Sequence, residues 1–165
     1  TIKTWPFEPK RFSYRREYLI TDESGESLIK GTSEWVIIDS VKRGLVSAPN
    51  LYSITDGYYE EMMLDKKVAK VPDFEATGAP YVVTPGFTEL DLNNHVNNTK
   101  YANYALDAIS PNEDDIVKTF QIDYRKEVLE GELLEVFYTR QEDGILAKGL
   151  NKEGDTMFAC KLEME

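Results

Sequence analysis

The sequence is poor in the residues that build disulfides and metal centres. It contains one cysteine, Cys160, and one histidine, His95, in 165 residues. A single cysteine excludes an internal disulfide framework and any metal site made of several cysteines. We therefore expect no metal and no cofactor, and we predict a reducing, cytoplasmic setting.

Long apolar runs are also missing. The strongest run, Trp35-Val36-Ile37-Ile38, is far shorter than the roughly 18 apolar residues that a helix needs to span a bilayer. The first residues, Thr1 to Pro6, lack the apolar region of a signal peptide. We expect neither a membrane span nor a signal sequence.

Positive charge is scarce and unevenly spread. The net charge is −11, which argues against nucleic acid as a partner because basic residues must face the phosphates. Residues 1–50 hold eight basic and seven acidic residues, whereas residues 51–165 hold eleven basic and twenty-three acidic ones. An acidic partner is therefore expected to dock on the first part. Of these eight basic residues, the groups available for docking are Arg11, Arg15, Arg16, Lys42 and Arg43.

The second half of the chain has one helical stripe among strand-like runs. Apolar residues from Tyr101 to Ile109 recur at spacings of three and four, after a cap at Asn97 or Asn98 and before Ser110-Pro111. A strand at 80–89, interrupted by Pro85-Gly86, comes before the helix. Four strands are predicted after it, at 116–128, 132–141, 145–151 and 156–164. This order predicts an α+β hot-dog fold, an antiparallel sheet wrapped around one long helix.

The first part reads as a hairpin, with strands at 11–20 and 28–39 and a loop at 40–50. Its acidic, glycine-containing turn parallels the turn near 151–155, which is a weak internal repeat. Residues 1–50 are therefore predicted to be the last strands of a first hot-dog, whose opening strand and helix would lie in some ~50–80 residues not present here. Residues 51–77 are predicted to be a linker with one helix, and residues 78–165 a complete second hot-dog.

The polar segment Asp91-Leu92-Asn93-Asn94-His95 is the strongest candidate for chemistry. In extended backbone, Asp91, Asn93 and His95 lie on one side because their spacing is two. The following helix offers free N–H groups and a positive dipole end that suit a developing oxyanion. The alternative is a plain helix cap. A cap explains Asn97 or Asn98 but leaves the triplet without a task.

Here the sequence resembles a known family. Residues Thr84 to Tyr101 are similar to the signature of the acyl-acyl-carrier-protein (acyl-ACP) thioesterases of bacteria and plants, Asp-x-Asn-x-His-Val-Asn-Asn-x-x-Tyr. Downstream, Tyr124-Arg125-Lys126-Glu127 resembles the second motif of that family, Tyr-Arg-x-Glu. Upstream, Thr4-Trp5-Pro6 and the hairpin ending at Asp39 resemble the close of the first hot-dog of that family.

The resemblance implies site residues. The catalytic asparagine and histidine of the family fall on Asn93 and His95, its aspartate on Asp91 and its second acidic group on Glu127. Plant relatives often carry cysteine at the position of Val128. The thiol of Cys160 lies in the last predicted strand, where a small buried residue is expected.

Without a thiol nucleophile, direct hydrolysis by general-base catalysis is the favoured mechanism. Glu127, or the His95–Glu127 pair, would take a proton from water. Asn93 and the backbone N–H groups of Val96 and Asn97 would hold the thioester oxyanion. Asp91 would orient the loop or the histidine. An acyl-enzyme anhydride on Glu127 is the runner-up.

The side-chain direction of Glu127 is open at this stage. Strict alternation turns Phe120, Ile122 and Tyr124 towards the helix and Glu127 away from it. A β-bulge near Arg125–Glu127, or the twist of the strand at its end, would redirect the carboxylate. Without a bulge, Glu127 is a surface residue and the His95–Asp91 side must activate the water.

Two other functions stay open. One is a hot-dog acyl-CoA thioesterase or hydratase, although an acidic second unit suits the phosphoadenosine poorly. The other is a non-catalytic acyl-binding protein. The favoured partner is acyl carrier protein with a fatty acyl thioester, docked on the basic residues of 1–50. A homodimer is left open.

Overall fold

The structure, a computed structural model, describes residues 1–39, 41–42, 44–47, 57–64 and 69–165. The chain forms two compact units, Thr1–Val68 and Ala69–Glu165. Parts of the predicted 40–50 loop and of the predicted 51–77 linker lie outside the described residues. Residues 57–64 and 69–77 contain no helix.

The first unit contains a three-stranded antiparallel sheet in the order β1-β2-β3. Its strands are β1 (Ile2–Pro6), β2 (Tyr14–Thr21) and β3 (Ser27–Trp35). The predicted hairpin is present, but its limits differ: β2 starts three residues later and ends one later than expected, and β3 starts one residue earlier and ends four earlier. Strand β1 is not predictable from local sequence, because it is short and its last residue is proline.

A buried carboxylate ties residues 57–64 to this sheet. Glu17 is fully buried and accepts hydrogen bonds from the Arg15 Nε at 2.6 Å, the Thr32 hydroxyl at 2.7 Å and the Met63 N–H at 2.9 Å. Burial raises the pKa of Glu17, but these hydrogen bonds outweigh it and the pKa lies below its ordinary value. Glu17 is therefore an ionised anchor inside the first unit.

The second unit contains a five-stranded antiparallel sheet in the order β4-β6-β7-β8-β5, with helix α1 (Asn98–Ile109) on one face. The strands are β4 (Tyr81–Val83), β5 (Val117–Tyr124), β6 (Leu134–Gln141), β7 (Gly144–Leu150) and β8 (Thr156–Met164). The predicted helix is confirmed almost to the residue, as is the hot-dog order of the elements.

The predicted strand at 80–89 is wrong beyond Val83. Pro85 cannot donate to a sheet, and the chain continues into a 3-10 helix at Phe87–Glu89. No helix among the described residues is long and apolar enough to cross a membrane.

The core of the second unit lies between α1 and the sheet. Tyr101, Tyr104, Ala105 and Ile109 of the helix are buried there. The Tyr101 ring meets the fully buried Phe158 ring of β8 edge-to-face at 5.2 Å. The strand residues buried with them include Leu134, Val136, Ala147, Cys160 and Leu162.

The opposite face of this sheet is covered by residues 69–74, which we call the outer strap. Val71 of the strap is buried with Leu146 and Ala159. Lys148 is only 7% exposed and donates to the Asp73 carboxylate at 2.8 Å and to the Phe74 carbonyl. The sequence predicted these strap residues to be linker, whereas they cover an apolar sheet face.

The repeated turn is confirmed in atomic detail. Asp22 Oδ1 accepts from the N–H groups of Ser24 and Glu26, and Asn151 Oδ1 accepts from those of Glu153 and Asp155. Each turn has a glycine at positive φ as its fourth residue, Gly25 at 90° and Gly154 at 81°. The register irregularity also falls at the same place, one residue before Asp22 and one before Asn151.

Candidate active site

The polar loop before α1 is folded around the Asp91 carboxylate. Asp91 Oδ1 accepts from the N–H groups of Asn93 at 2.8 Å and His95 at 3.2 Å. Asn94 adopts the left-handed conformation, with φ of 60°, which asparagine tolerates well. The hydrogen bond from the Asn93 N–H is the main reason why the pKa of Asp91 lies below its ordinary value. The ionised carboxylate thus fixes the backbone that carries His95.

Glu127 lies beside the imidazole. Its Oε2 is 3.6 Å from His95 Nε2, and the two side chains are 44% and 30% exposed. This distance is longer than a direct hydrogen bond but within reach of an ion pair or of one shared water molecule. The structure therefore brings His95 and Glu127 together from two separate segments.

A β-bulge produces this arrangement. The N–H groups of Arg125 and Lys126 both donate to the Met157 carbonyl, at 2.9 and 3.1 Å. Two consecutive amides on one carbonyl insert an extra residue and reverse the alternation of side chains. Strand β5 consequently ends at Tyr124, earlier than the predicted residue 128. The bulge that the sequence left open is present, and Glu127 points to the histidine.

The two predicted backbone oxyanion donors are already engaged. The Val96 N–H donates to the Val128 carbonyl, and the Asn97 N–H donates to the Glu89 carbonyl, both at 2.8 Å. The Asn97 side chain caps the helix by accepting from the Thr99 N–H. The prediction for the N–H groups of Val96 and Asn97 therefore needs correction, because both satisfy tertiary contacts. The exposed Asn93 side-chain amide, 3.5 Å from Asp91 Oδ2, is the remaining donor in the predicted set.

Sequence reasoning missed the part that Glu89 plays. Its carboxylate accepts from the Tyr104 hydroxyl at 2.7 Å and from the Gly86 N–H at 2.9 Å. The hydroxyl bond is the main reason why the pKa of Glu89 is lowered. Glu89 thereby ties the loop to α1. The sequence signal was a glutamate three residues after Gly86, the spacing of a capping box.

The thiol lies away from this chemistry. Cys160 is fully buried in β8, and burial raises the pKa of its thiol. The expectation of a small buried strand residue is confirmed. Val128 is also fully buried, but its carbonyl accepts from Val96 and so closes the loop.

An open cavity of about 870 Å³ lies against the polar loop. Apolar Phe87, Leu90 and Leu92 line it together with Asn93 and Asn97. Phe87 is 76% exposed and Leu92 is fully exposed. An apolar surface thus adjoins the candidate catalytic amide.

The predicted docking residues differ in whether their charged groups already contact other side chains. Arg15 is held by the buried Glu17 and is a poor docking group. Arg16 donates to the Thr4 hydroxyl at 3.2 Å, whereas Arg11 and Lys42 are exposed. Arg43 lies outside the described residues.

Comparison with solved structures supports this architecture. The 12:0-ACP thioesterase from Umbellularia californica aligns with a TM-score of 0.89 at 23% identity, over 99% of this chain and 66% of that one. An acyl-ACP thioesterase from Bacteroides thetaiotaomicron aligns with a TM-score of 0.87 at 20% identity, over 99% and 68%. At these identities the likeness establishes the hot-dog fold.

Comparison of sequences establishes the family. The chloroplastic palmitoyl-acyl carrier protein thioesterase of Arabidopsis thaliana is 28% identical over 135 residues, which are 76% of this chain and 33% of that protein. The chain thus spans about a third of the length of this relative. The profile of the acyl-ACP thioesterase N-terminal domain matches residues 1–56, and that of the C-terminal domain matches residues 75–164. Since the second match alone covers more than half of the chain, the chain belongs to the acyl-ACP thioesterase family.

Proposed function

We propose that the protein hydrolyses the thioester of fatty acyl-ACP and so releases free fatty acid and ends fatty acid synthesis. The observation that carries the proposal is the approach of Glu127 to His95, at 3.6 Å, beside a loop ordered by Asp91. A carboxylate and an imidazole at this separation can share one water molecule. Family membership supports the choice of substrate.

The His95–Glu127 pair acts as the general base in this proposal. The pair removes a proton from water as the water oxygen attacks the thioester carbon. The C–S bond then breaks, and the pair returns the proton to the departing thiolate. Atoms and charge balance, because water supplies the acid oxygen and both protons reach the products.

The Asn93 side-chain amide is the proposed donor to the oxyanion. It belongs to the loop that carries His95 and it lines the cavity, whereas the Val96 and Asn97 N–H groups serve other acceptors. Asp91 keeps Asn93 in place through the Asn93 N–H. One such donor contributes about 10²–10³ in kcat in other acyl-transfer enzymes.

An acyl anhydride on Glu127 remains the runner-up mechanism. Incubation of the full chain with acyl thioester, followed by acid quench and intact mass measurement, distinguishes the two. A covalent acyl adduct that Glu127→Gln abolishes would favour the anhydride, and unmodified protein during turnover favours direct attack by water.

Glu127→Gln is the main test of the mechanism. It keeps the size of the side chain and removes the base, so kcat should fall by about 10²–10⁴-fold on acyl-ACP. Glu130→Gln is the matched control, because Glu130 is an exposed glutamate three residues further on. Near-normal turnover by Glu127→Gln would remove Glu127 from the mechanism.

The choice of substrate needs its own comparison. The proposal expects higher kcat/KM on acyl-ACP than on acyl-CoA of the same chain length, for medium and long chains alike. Preference for acyl-CoA would support the other enzyme class, and lack of turnover with either would support an acyl-binding protein.

Acyl carrier protein, in a cytoplasmic setting, is the proposed partner. Its docking is assigned to Arg11, Arg16 and Lys42, the predicted docking residues that are described and not bound to Glu17. Charge reversal at Lys42 should raise KM for acyl-ACP and weaken its salt dependence. Reversal at exposed Lys152 in the second unit is the control.

A further inference from the structure

We propose that Arg125 is a positioning residue for the His95–Glu127 pair, and that it acts by anchoring the bulge to the outer strap. The inference rests on the proposed function for its effect on turnover. Its structural part concerns only the direction of one carboxylate and can be measured without turnover.

Two side chains at the end of β5 form hydrogen bonds with one residue of the outer strap, Val71. Asp123 Oδ2 accepts from the Val71 N–H at 2.8 Å, and Arg125 Nη2 donates to the Val71 carbonyl at 3.1 Å. Gln121 adds a bond from its amide to the Ala69 carbonyl at 2.5 Å. Three side chains at spacing two therefore form hydrogen bonds with the backbone of the strap, at Ala69 and Val71.

Alternation makes Arg125 the last residue on this face. In a regular strand Gln121, Asp123, Arg125 and Glu127 all point outwards. The bulge lies immediately after the Arg125 N–H, since Lys126 donates to the same Met157 carbonyl. Glu127 is thereby moved to the side of His95, while Arg125 stays on the strap.

The anchor fixes where the bulge falls. With its side chain on the Val71 carbonyl, Arg125 keeps the outward direction of Gln121 and Asp123, so the reversal of alternation comes between Arg125 and Glu127. Loss of this bond frees the strand end to return to regular alternation, which turns Glu127 outwards and away from His95.

Arg125→Met is the primary variant, because methionine keeps most of the aliphatic stem and loses the donors. Arg125→Lys should restore most of the wild-type behaviour, since its ammonium can reach the Val71 carbonyl. Arg140→Met is the matched control: Arg140 is an exposed arginine on β6. All variants are made in the full chain.

The first readout is the side-chain ¹⁵N spectrum of the histidine. His95 is the one histidine of the sequence, so its two ring nitrogens are assigned directly. We expect Arg125→Met to move these signals towards those of Glu127→Gln, and Arg125→Lys and Arg140→Met to keep the wild-type signals. Wild-type histidine signals in a folded Arg125→Met protein would overturn the proposal.

The second readout is steady-state kinetics on acyl-ACP. We expect kcat of Arg125→Met to fall by about 10- to 100-fold with KM within roughly threefold, since a small misplacement of a catalytic group has an effect of that size. Lack of turnover on acyl-ACP by the wild-type protein would defeat the proposed function alone, because the histidine signals would still decide whether Arg125 positions Glu127.

Folding controls complete the design. If Arg125→Met does not give a native amide spectrum, Asp123→Asn is used instead. It weakens the hydrogen bond from the Val71 N–H to the Asp123 side chain, and its effect is measured by the same histidine signals. Failure of both variants to fold would show that the hydrogen bonds to Val71 serve the stability of the fold, and it would overturn the positioning role.

Discussion

The β2–β3 and β7–β8 hairpins have the same turn and the same register irregularity, yet they differ in burial. Phe158 stands seven residues after Asn151 and is fully buried, whereas Ile29 stands seven residues after Asp22 and is 60% exposed. Each is paired with the residue two before its turn, Gly149 and Ile20 respectively. The difference comes from α1, which covers the second hairpin. Local sequence sets the turn, and burial depends on the partner layer.

The largest expected effect is on the free energy of unfolding at these paired positions. Phe158→Ala should destabilise the second unit by about 3–5 kcal/mol, because it opens a cavity under Tyr101. Ile29→Ala should change the first unit by roughly 0.5 kcal/mol or less, because its side chain is largely solvated. Urea unfolding followed by circular dichroism at 222 nm reports α1, and the fluorescence of Trp5 and Trp35 reports the first unit. Similar losses in both units would contradict the comparison.

The next largest difference in stability is expected between substitutions at two strand glycines, Gly149 and Gly31. An added Cβ at Gly149 would lie 2.2 Å from the Phe158 ring, whereas one at Gly31 would lie 3.8 Å from Tyr18, an ordinary contact. Gly149→Ala should therefore cost about 1–3 kcal/mol. Gly31→Ala should be neutral or stabilise by up to about 1 kcal/mol. The same two probes measure both, and a neutral Gly149→Ala would show that the Phe158 ring moves freely.

Removal of the side-chain acceptor should have a similar effect on stability in the two hairpin turns. Asp22→Ala and Asn151→Ala each remove one oxygen that accepts two N–H groups. We expect a similar fall in the melting temperature of the unit concerned, roughly 2–5 °C. A loss at one turn only would show that the shared hydrogen bonds are not what stabilises them.

The smallest expected effect is the response of the Asp22 turn to pH. Hydrogen bonds from Ser24 and Glu26 hold the pKa of Asp22 below its ordinary value of 3.8. A carboxyl whose pKa is lowered by folding contributes stability above its unfolded pKa and loses it as the pH falls through the folded value. The Ser24 amide signal should therefore shift on acidification below about pH 4, and Asp22→Asn should abolish the shift. A shift of the same size in that variant would assign it to another group.

Features of short range were predictable from the sequence. The α1 helix begins after its Asn97 cap and ends at Ile109, before Ser110, which takes the left-handed conformation at φ of 49°. Glycine-containing turns likewise fixed the limits of β6, β7 and β8. The strand expected at 80–89 failed because Pro85 interrupts it, and alternating apolar residues alone do not say where the chain leaves the sheet.

Apart from the His95–Glu127 pair, which the family resemblance implied, features of long range were not predictable. The sequence could offer a bulge at Arg125 only as an alternative, because its cause is the Met157 carbonyl on β8. It also assigned the Val96 and Asn97 N–H groups to an oxyanion, since nothing local reveals that Val128 and Glu89 accept them. Sequence alone predicts linker for the strap because the partner of its Asp73, Lys148, lies more than seventy residues away.

The strap has a practical consequence for trimming this protein. The C-terminal family match begins at residue 75, just after the strap ends. An expression fragment cut at that point would lose Val71 and Asp73. Leu146 and Ala159 would face solvent, and the ammonium of Lys148 would lose its counter-charge. A fragment intended to be soluble should therefore start at or before Ala69, six residues upstream of the boundary that sequence comparison suggests.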